Sequence, residues 1–168
     1  MTRILAIDPG PTESGWVVID ADTLAPLRFG KTANSDLLQD LRSGFLLCGV
    51  RLAVVEQIQS YGMAVGAHVF ATCTWAGRLI EAIDARGSDH LQVPRRDVKL
   101  HLCGQSRAKD ANITQALVDR FAFGQPNHGK GSKKAPGFFY GFKSDVWAAF
   151  ALAVYAADEL LDARVATA

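Results

Sequence analysis

Two short apolar runs, each closed by an acidic residue, constrain this chain more than any other feature. Residues 3–7 (RILAI) stop at Asp8 and a Pro-Gly-Pro turn, and residues 52–55 (LAVV) stop at Glu56. A continuous apolar run is typical of a strand buried on both faces, as in a parallel sheet covered by helices. Ligands tend to bind at the carboxyl ends of such strands. The sequence therefore predicts a sheet that presents Asp8 and Glu56 at one edge.

The remaining periodicity predicts a mixed α/β sheet. Residues 15–20 and 24–29 are short and apolar and follow tight turns, which favours hairpins beside the first strand. After Asn34, a helix-capping residue type, apolar residues recur at helical spacing through Phe45 and Leu46. Further patterns predict a strand at 90–93, a loop at 124–141, and helices at 64–85, 95–102, 108–121 and 144–161, the last with Ser144 as candidate cap. With 49% hydrophobic residues in 168, we expect one domain over residues 1–168, a five-stranded mixed sheet flanked by helices.

The net charge of +1 conceals an uneven distribution. The first 60 residues carry 7 acids and 5 bases, and the rest carry 10 acids and 13 bases. This excludes a uniformly basic surface but allows a local one. The candidate phosphate contacts lie in two stretches: Arg95, Arg96, Lys99, Arg107 and Lys109, and then Lys130, Lys133, Lys134 and Lys143, which with Arg120 belong to a stretch without acids. The alternative is a solvated surface and a floppy loop.

Cysteine usage and hydropathy indicate a compartment. Cys48, Cys73 and Cys103 are odd in number and lack the spacing of a zinc site, which favours free thiols in a reducing environment. No apolar stretch approaches the roughly 20 residues that span a bilayer. We therefore expect a soluble cytoplasmic protein with no membrane partner.

A third acid, Asp145, opens the last predicted helix, where backbone amides favour a carboxylate. Taken singly, Asp8 suits a turn, Glu56 a solvated strand end and Asp145 a helix dipole. Taken together, carboxylates at two strand ends and one helix start can converge on hard cations such as Mg²⁺. Two such ions can hydrolyse a phosphodiester.

Four segments extend this interpretation to most of the chain. ILAIDPGPTESGWVVID, AVVEQI, PRRDVKLHLCGQSRAKDANI and SDVWAAFALAVY resemble, in order, the motif regions of RuvC-type Holliday junction resolvases, which belong to the RNase H-like nuclease superfamily. The resemblance implies a magnesium-dependent endonuclease with two ions per site, for which Mn²⁺ can substitute. It further implies a homodimer that nicks paired strands of branched DNA at four-way junctions.

The resemblance also assigns roles to single residues. It implies that Asp8, Glu56 and Asp145 bind metal and that Lys99 and Lys109 lie near the scissile phosphate. It implies that Tyr61 wedges the junction open.

Position 148 departs from the family pattern. The family commonly has two aspartates three residues apart on the last helix, and registering residues 149–152 places Asp145 at the first and Ala148 at the second. Residues i and i+3 share a helix face, so an acid at 148 would point to the same metals. Three explanations are open: Asp145 suffices alone, the nuclease is naturally weakened, or an aspartate was replaced to trap an uncut complex. We favour the last.

Several alternatives stay open from the sequence. The chain could be a non-cleaving junction-binding protein, or an RNase H-like nuclease for RNA–DNA hybrids or flaps. An actin-like nucleotide binder is disfavoured, because that architecture needs two copies of such a domain. The aromatics at 138–142 suit either stacking on splayed bases or a lid on the core. The small residues of the helix at 64–85 suit either a dimer contact or packing on the sheet.

Overall fold

The computed structural model of the chain describes residues 2–60 and 62–160. Over these ranges the chain forms five strands and five α-helices. The strands are β1 (Arg3–Asp8), β2 (Glu13–Asp20), β3 (Pro26–Ala33), β4 (Val50–Gln57) and β5 (His90–Pro94). The helices are α1 (Asn34–Ser43), α2 (Ala67–Asp84), α3 (Arg95–Cys103), α4 (Asp110–Phe121) and α5 (Ser144–Tyr155). A 3₁₀ turn lies at Asn127–Gly129, and a π-helical turn, Ala156–Leu160, follows α5.

The five strands form one sheet in the order β3-β2-β1-β4-β5. The hairpins β1–β2 and β2–β3 are antiparallel, whereas β4 pairs parallel with both β1 and β5. The prediction of a mixed five-stranded α/β sheet is thereby confirmed. Short turns suffice for the antiparallel pairs, while each parallel pair requires a helical crossover.

Helices cover both faces of the sheet, which explains the apolar runs. On one face, Ile4 and Ala6 of β1 join a core formed with α3, α4 and α5. On the other face, Leu5 and Ile7 join a core formed with α1 and α2. Since every one of these four side chains is fully buried, β1 carries no alternation of polar and apolar residues.

Two predicted boundaries and one predicted cap were wrong for local reasons. Helix α1 ends at Ser43, because Gly44 takes a left-handed conformation with φ of 80° and caps the helix. Phe45 therefore lies outside the helix and is 60% exposed. Leu24 has φ of 59°, so it belongs to a turn and β3 starts at Pro26. Ser144 does not cap α5, since the capping position is Lys143 and the Ser144 hydroxyl donates to Asp145 Oδ1.

The aromatic segment before α5 packs on the core. Phe139 and Phe142 are 0% and 1% exposed and contact the rings of Trp147 and Phe150. For these two residues the lid interpretation is confirmed and base stacking is wrong. Tyr140, between them, is 43% exposed.

The structure also bears on the cysteines and on the hydropathy of the helices. Cys48, Cys73 and Cys103 are free thiols. In the described part of the chain, no helix has both the length and the apolar character that a bilayer crossing requires.

Candidate functional site

Asp8 and Glu56 are brought together by parallel pairing. Ile7 of β1 is in register with Val55 of β4, and the two acids are the next residues of their strands. Both Ile7 and Val55 are fully buried, so the backbones that carry the acids are fixed by the core. The acids accordingly lie at the same edge of the sheet, as the sequence predicted.

A buried polar network holds the loop that follows Asp8. The Ser14 hydroxyl donates to Asn34 Oδ1 over 2.6 Å, and Asn34 Nδ2 donates to the Gly10 carbonyl over 2.9 Å. The Gly10 amide donates back to Ser14 Oγ over 3.3 Å. Ser14 and Asn34 are each 1% exposed, and buried hydrogen bonds of this kind rigidify a segment.

Asp145 reaches the same edge because position 15 is a glycine. Gly15 on β2 pairs with Asp8, and a Cβ at position 15 would lie 2.7 Å from the Asp145 Cβ. The missing side chain lets the first turn of α5 pack directly on the sheet. Lys31 on β3 completes this side, with Nζ 2.7 Å from Asp145 Oδ2 and 3.6 Å from Glu13 Oε2.

Arg95 joins Glu56 to a fourth acid. It is the first residue of α3, directly after β5, and its Nη1 donates to Glu56 Oε2 over 2.9 Å. Its Nη2 donates to Oδ1 of Asp110, the first residue of α4, also over 2.9 Å. The Glu56 side chain is 13% exposed and that of Arg95 is 30% exposed. One guanidinium thus bridges a strand end and a helix start.

Two cavities adjoin the acids. The first, which we call the acidic cavity, measures about 280 Å³ and is lined by Asp8, Asp110, Asp145, Arg95 and Ala148 among others. The second measures about 300 Å³ and lies between Asp8, Asp145 and Lys31. Ala148 therefore faces the same space as Asp145, as the helical spacing predicted.

The electrostatics of the site reflect an excess of buried negative charge. The pKa of Asp8 is raised to about 7, chiefly by burial and also by the Glu56 carboxylate, against the lowering effect of Arg95. Burial also raises the pKa of Glu56, against the lowering effect of Arg95. The hydrogen bond from Arg95 lowers the pKa of Asp110, and the bond to Asp145 raises the pKa of Lys31. The two basic residues thus only partly balance the carboxylates.

The donor set suits a divalent cation. In the parts of the chain described, no three His, Cys, Asp or Glu side chains are gathered into a metal-binding group. Glu56 and Asp145 pair with Arg95 and Lys31. The available donors are carboxylate oxygens, which hard cations prefer. The pKa of Asp8 is raised by burial and by the neighbouring carboxylates of Glu56 and Asp145, which a bound cation would offset. These residues therefore fit Mg²⁺ by their chemistry.

Basic residues line a third and larger cavity, the basic cavity. It measures about 500 Å³ and is lined by Arg95, Arg96, Lys99, Ser106 and Arg107. Four of the five predicted bases of this stretch are thus gathered, with a hydroxyl among them. Such a cavity can hold a phosphate through charge-assisted hydrogen bonds.

The other predicted DNA contacts do not line the basic cavity. Lys109 is exposed and precedes α4, where its amide donates to Asn112 Oδ1. Lys133, Lys134 and Lys143 are also exposed, and Lys130 is half-buried. Their contact with DNA stays a prediction, and Tyr61 lies outside the described residues.

Sequence reasoning missed two charged residues of the site. Lys31 could not be predicted from the sequence, because the register of β3 decides which residues of this strand reach Asp145. Asp110 was not predicted as a site residue, although an acid at a helix start is a recognisable signal. Neither position follows an apolar run, which was the feature that exposed Asp8 and Glu56.

Comparison with known proteins identifies the fold. No protein-family model and no curated protein sequence matches the chain. The solved structure of Thermus thermophilus RuvC superposes with a TM-score of 0.68 at 19% identity, covering 98% of this chain and 97% of that one. T. thermophilus RuvC in complex with a Holliday junction substrate gives a TM-score of 0.69 at 19% identity, covering 99% and 98%. The expected RuvC-type, RNase H-like fold is therefore confirmed.

Proposed function

We propose that this chain is a structure-selective DNA endonuclease that resolves four-way junctions by paired nicks. One observation carries the proposal: Asp8 and Glu56 end neighbouring strands and Asp145 lines a cavity with Asp8, beside a cavity lined by four basic side chains. A metal site beside a phosphate site is what phosphodiester hydrolysis requires. The fold is also that of a RuvC solved with a Holliday junction.

Asp8, Glu56 and Asp145 are the proposed ligands of two Mg²⁺ ions, with Mn²⁺ as a substitute. When bound there, the ions would activate water and stabilise the leaving oxygen of the phosphodiester. A metal ion at Asp8 would compete with a proton, since the pKa of this carboxyl is raised to about 7. Ser14 and Asn34 hold the backbone at Gly10, two residues after Asp8, and so restrain the loop beside this carboxylate.

The basic cavity is proposed to position the DNA backbone. Lys99 is half-buried and lies one helical turn after Arg95, so its amine can reach a phosphate close to the acids. Arg96 and Arg107 are more exposed and suit neighbouring phosphates. Such contacts supply affinity without sequence preference.

A homodimer is proposed because two strands must be cut. In α2, Ala76, Leu79 and Ile83 are buried within the chain, so one face of this helix packs internally. On the same segment, Phe70 is 62% exposed and Val65 is 38% exposed. This apolar surface is the proposed contact between two copies.

A second candidate function is a junction-binding protein with impaired cleavage. Ala148 favours it, because this residue lines the acidic cavity where the family pattern has an aspartate. The two functions differ in cleavage but share binding.

A panel of labelled substrates separates these functions. A synthetic four-way junction, a linear duplex of matching sequence, an RNA–DNA hybrid and a flap are each incubated with Mg²⁺ or with EDTA. Selective cleavage of the junction in Mg²⁺ supports the resolvase. Tight junction binding without cleavage supports the second candidate, and equal affinity for junction and linear duplex contradicts both.

A further inference from the structure

Arg95 belongs to two cavities of opposite charge. It lines the basic cavity with Arg96, Lys99 and Arg107, and it also lines the acidic cavity. Its two terminal nitrogens are both committed to carboxylates, one to Glu56 and one to Asp110, each over 2.9 Å. One guanidinium therefore forms the wall between the proposed phosphate site and the proposed metal site.

We propose that the basic cavity binds a DNA backbone phosphate, and that Arg95 is a positioning residue that exchanges Glu56 and Asp110 for this phosphate. DNA binding thereby releases the Glu56 carboxylate to a divalent ion. This inference rests on the proposed nuclease function and adds an order of assembly: the carboxylates become available where DNA is bound.

The present pairing of Arg95 opposes metal binding at Glu56. A divalent cation on the Glu56 carboxylate would lie beside a guanidinium that already occupies Oε2. Like charges at such a distance repel strongly where water is scarce, and the Glu56 side chain is 13% exposed. A metal ion must therefore displace Arg95 or bind weakly.

A phosphate in the basic cavity could replace the two carboxylates as the hydrogen-bond partner of Arg95. The planar fork that now bonds two carboxylates also matches two phosphate oxygens. Arg96, Lys99 and Arg107 bring further positive charge to the same cavity, so an anion is favoured there. The Arg95 side chain is 30% exposed, which leaves it room to turn within the wall.

The exchange couples two binding events. If DNA draws Arg95 away, DNA raises the affinity for metal, and metal must raise the affinity for DNA by the same factor. This coupling between DNA and metal binding depends on the Arg95 side chain. Replacing Arg95 should therefore abolish the coupling.

The first test measures metal affinity without DNA. Mn²⁺ is titrated into the full chain and free Mn²⁺ is followed by electron paramagnetic resonance. Arg95→Gln is expected to bind Mn²⁺ at least roughly fivefold more tightly than the unsubstituted protein. Arg96→Gln removes one charge from the same cavity without touching a bond to Glu56, and we expect a change below about twofold.

The second test measures the coupling itself. Affinity for a fluorescent four-way junction is determined by anisotropy in EDTA and in Ca²⁺. For the unsubstituted protein, Ca²⁺ is expected to tighten binding at least roughly fivefold. Arg96→Gln should weaken binding in both conditions and keep this factor, whereas Arg95→Gln should bring it towards one.

If Arg95→Gln and Arg96→Gln bind Mn²⁺ with equal affinity, the inference is overturned. Arg95 would then have only a structural role. If Arg95→Gln fails to fold, Arg95→Lys serves, because it keeps the charge but cannot span both carboxylates. It should bind Mn²⁺ more tightly than the unsubstituted protein, and equal binding contradicts the exchange. Failure of the unsubstituted protein to bind the junction, or to bind Mn²⁺ when the junction is present, would instead refute the proposed function, and the inference with it.

Discussion

Lys31 Nζ lies 2.7 Å from Asp145 Oδ2, so an amine from the edge strand β3 balances the carboxylate that opens α5. Arg95 does the same for Glu56. Two of the three proposed ligands of the metal, Glu56 and Asp145, are thus each paired with a side-chain cation from a different element. The pairs explain how acids crowd at one sheet edge in the metal-free protein.

Replacing Lys31 by Gln should lower the thermal midpoint in EDTA, because Asp145 then faces Asp8 without its amine. Mg²⁺ should raise the midpoint of this variant more than that of the unsubstituted protein, since the ion supplies the missing charge. Thermal unfolding in EDTA and in Mg²⁺ measures both effects. Lys133→Gln is the control, an exposed lysine with no ion pair to a described residue. Equal responses of the two variants would contradict the role of Lys31.

Ala148→Asp should increase junction cleavage, because the new carboxylate enters the acidic cavity one turn after Asp145. We expect a gain of roughly tenfold or more, which corresponds to about 1.4 kcal/mol of barrier. Initial rates on a labelled junction in saturating Mg²⁺ measure it. Ala148→Asn has the same shape without the charge and serves as control. If both variants cleave at the unsubstituted rate, Asp145 suffices on this helix.

Asp8 should make the metal-free protein less stable as pH rises. Its pKa is raised from 3.8 to about 7 in the folded state, so the folded protein holds the proton more tightly than the unfolded one. The contribution to stability is full below pH 3.8 and is lost as pH rises through about 7. A single group changes the unfolding free energy by at most about 1.4 kcal/mol per pH unit.

Urea unfolding of Asp8→Asn and of the unsubstituted protein, in EDTA between pH 5 and pH 8, isolates this effect. The stability difference should shift in favour of Asp8→Asn as pH increases. A difference that is constant across the range would show that Asp8 is ionised throughout.

Gly15→Ala should displace α5 from the sheet, because the added Cβ would lie 2.7 Å from the Asp145 Cβ. Overpacking of this kind costs about 1–3 kcal/mol, and Mn²⁺ affinity should fall because Asp145 moves. Gly77→Ala in α2 is the matched control, since a Cβ there meets nothing within 4 Å. In a helix this change raises stability by about 0.5–1 kcal/mol. A neutral Gly15→Ala would contradict the proposed positioning of α5.

The sequence predicted those parts of the site that follow from local patterns. Asp8 and Glu56 end buried strands, and parallel pairing brings such ends together regardless of detail. Asp145 and Ala148 share a helix face, which spacing alone implies. These predictions needed no knowledge of loops or of distant contacts.

What the sequence did not predict depends on long-range geometry. The pairing of Lys31 with Asp145 requires the register of β3 and the seating of α5, which no local pattern encodes. Arg95 belongs to a basic stretch and was predicted to contact DNA, yet the turn from β5 into α3 places it on Glu56. Phe139 and Phe142 lie in a glycine- and lysine-rich loop, and only the packing of Trp147 and Phe150 shows that they are core.

Mapping the cut sites on a four-way junction tests the central claim most directly. Each strand of a synthetic junction is labelled in turn and incubated with the unsubstituted protein, Ala148→Asp or Glu56→Gln, in Mg²⁺ or EDTA. We predict nicks at symmetric positions in two opposing strands, and only when Mg²⁺ is present. Cleavage should be strongest with Ala148→Asp and absent with Glu56→Gln. Cleavage that persists in EDTA or in Glu56→Gln, or that is equal on linear duplex, would contradict the account.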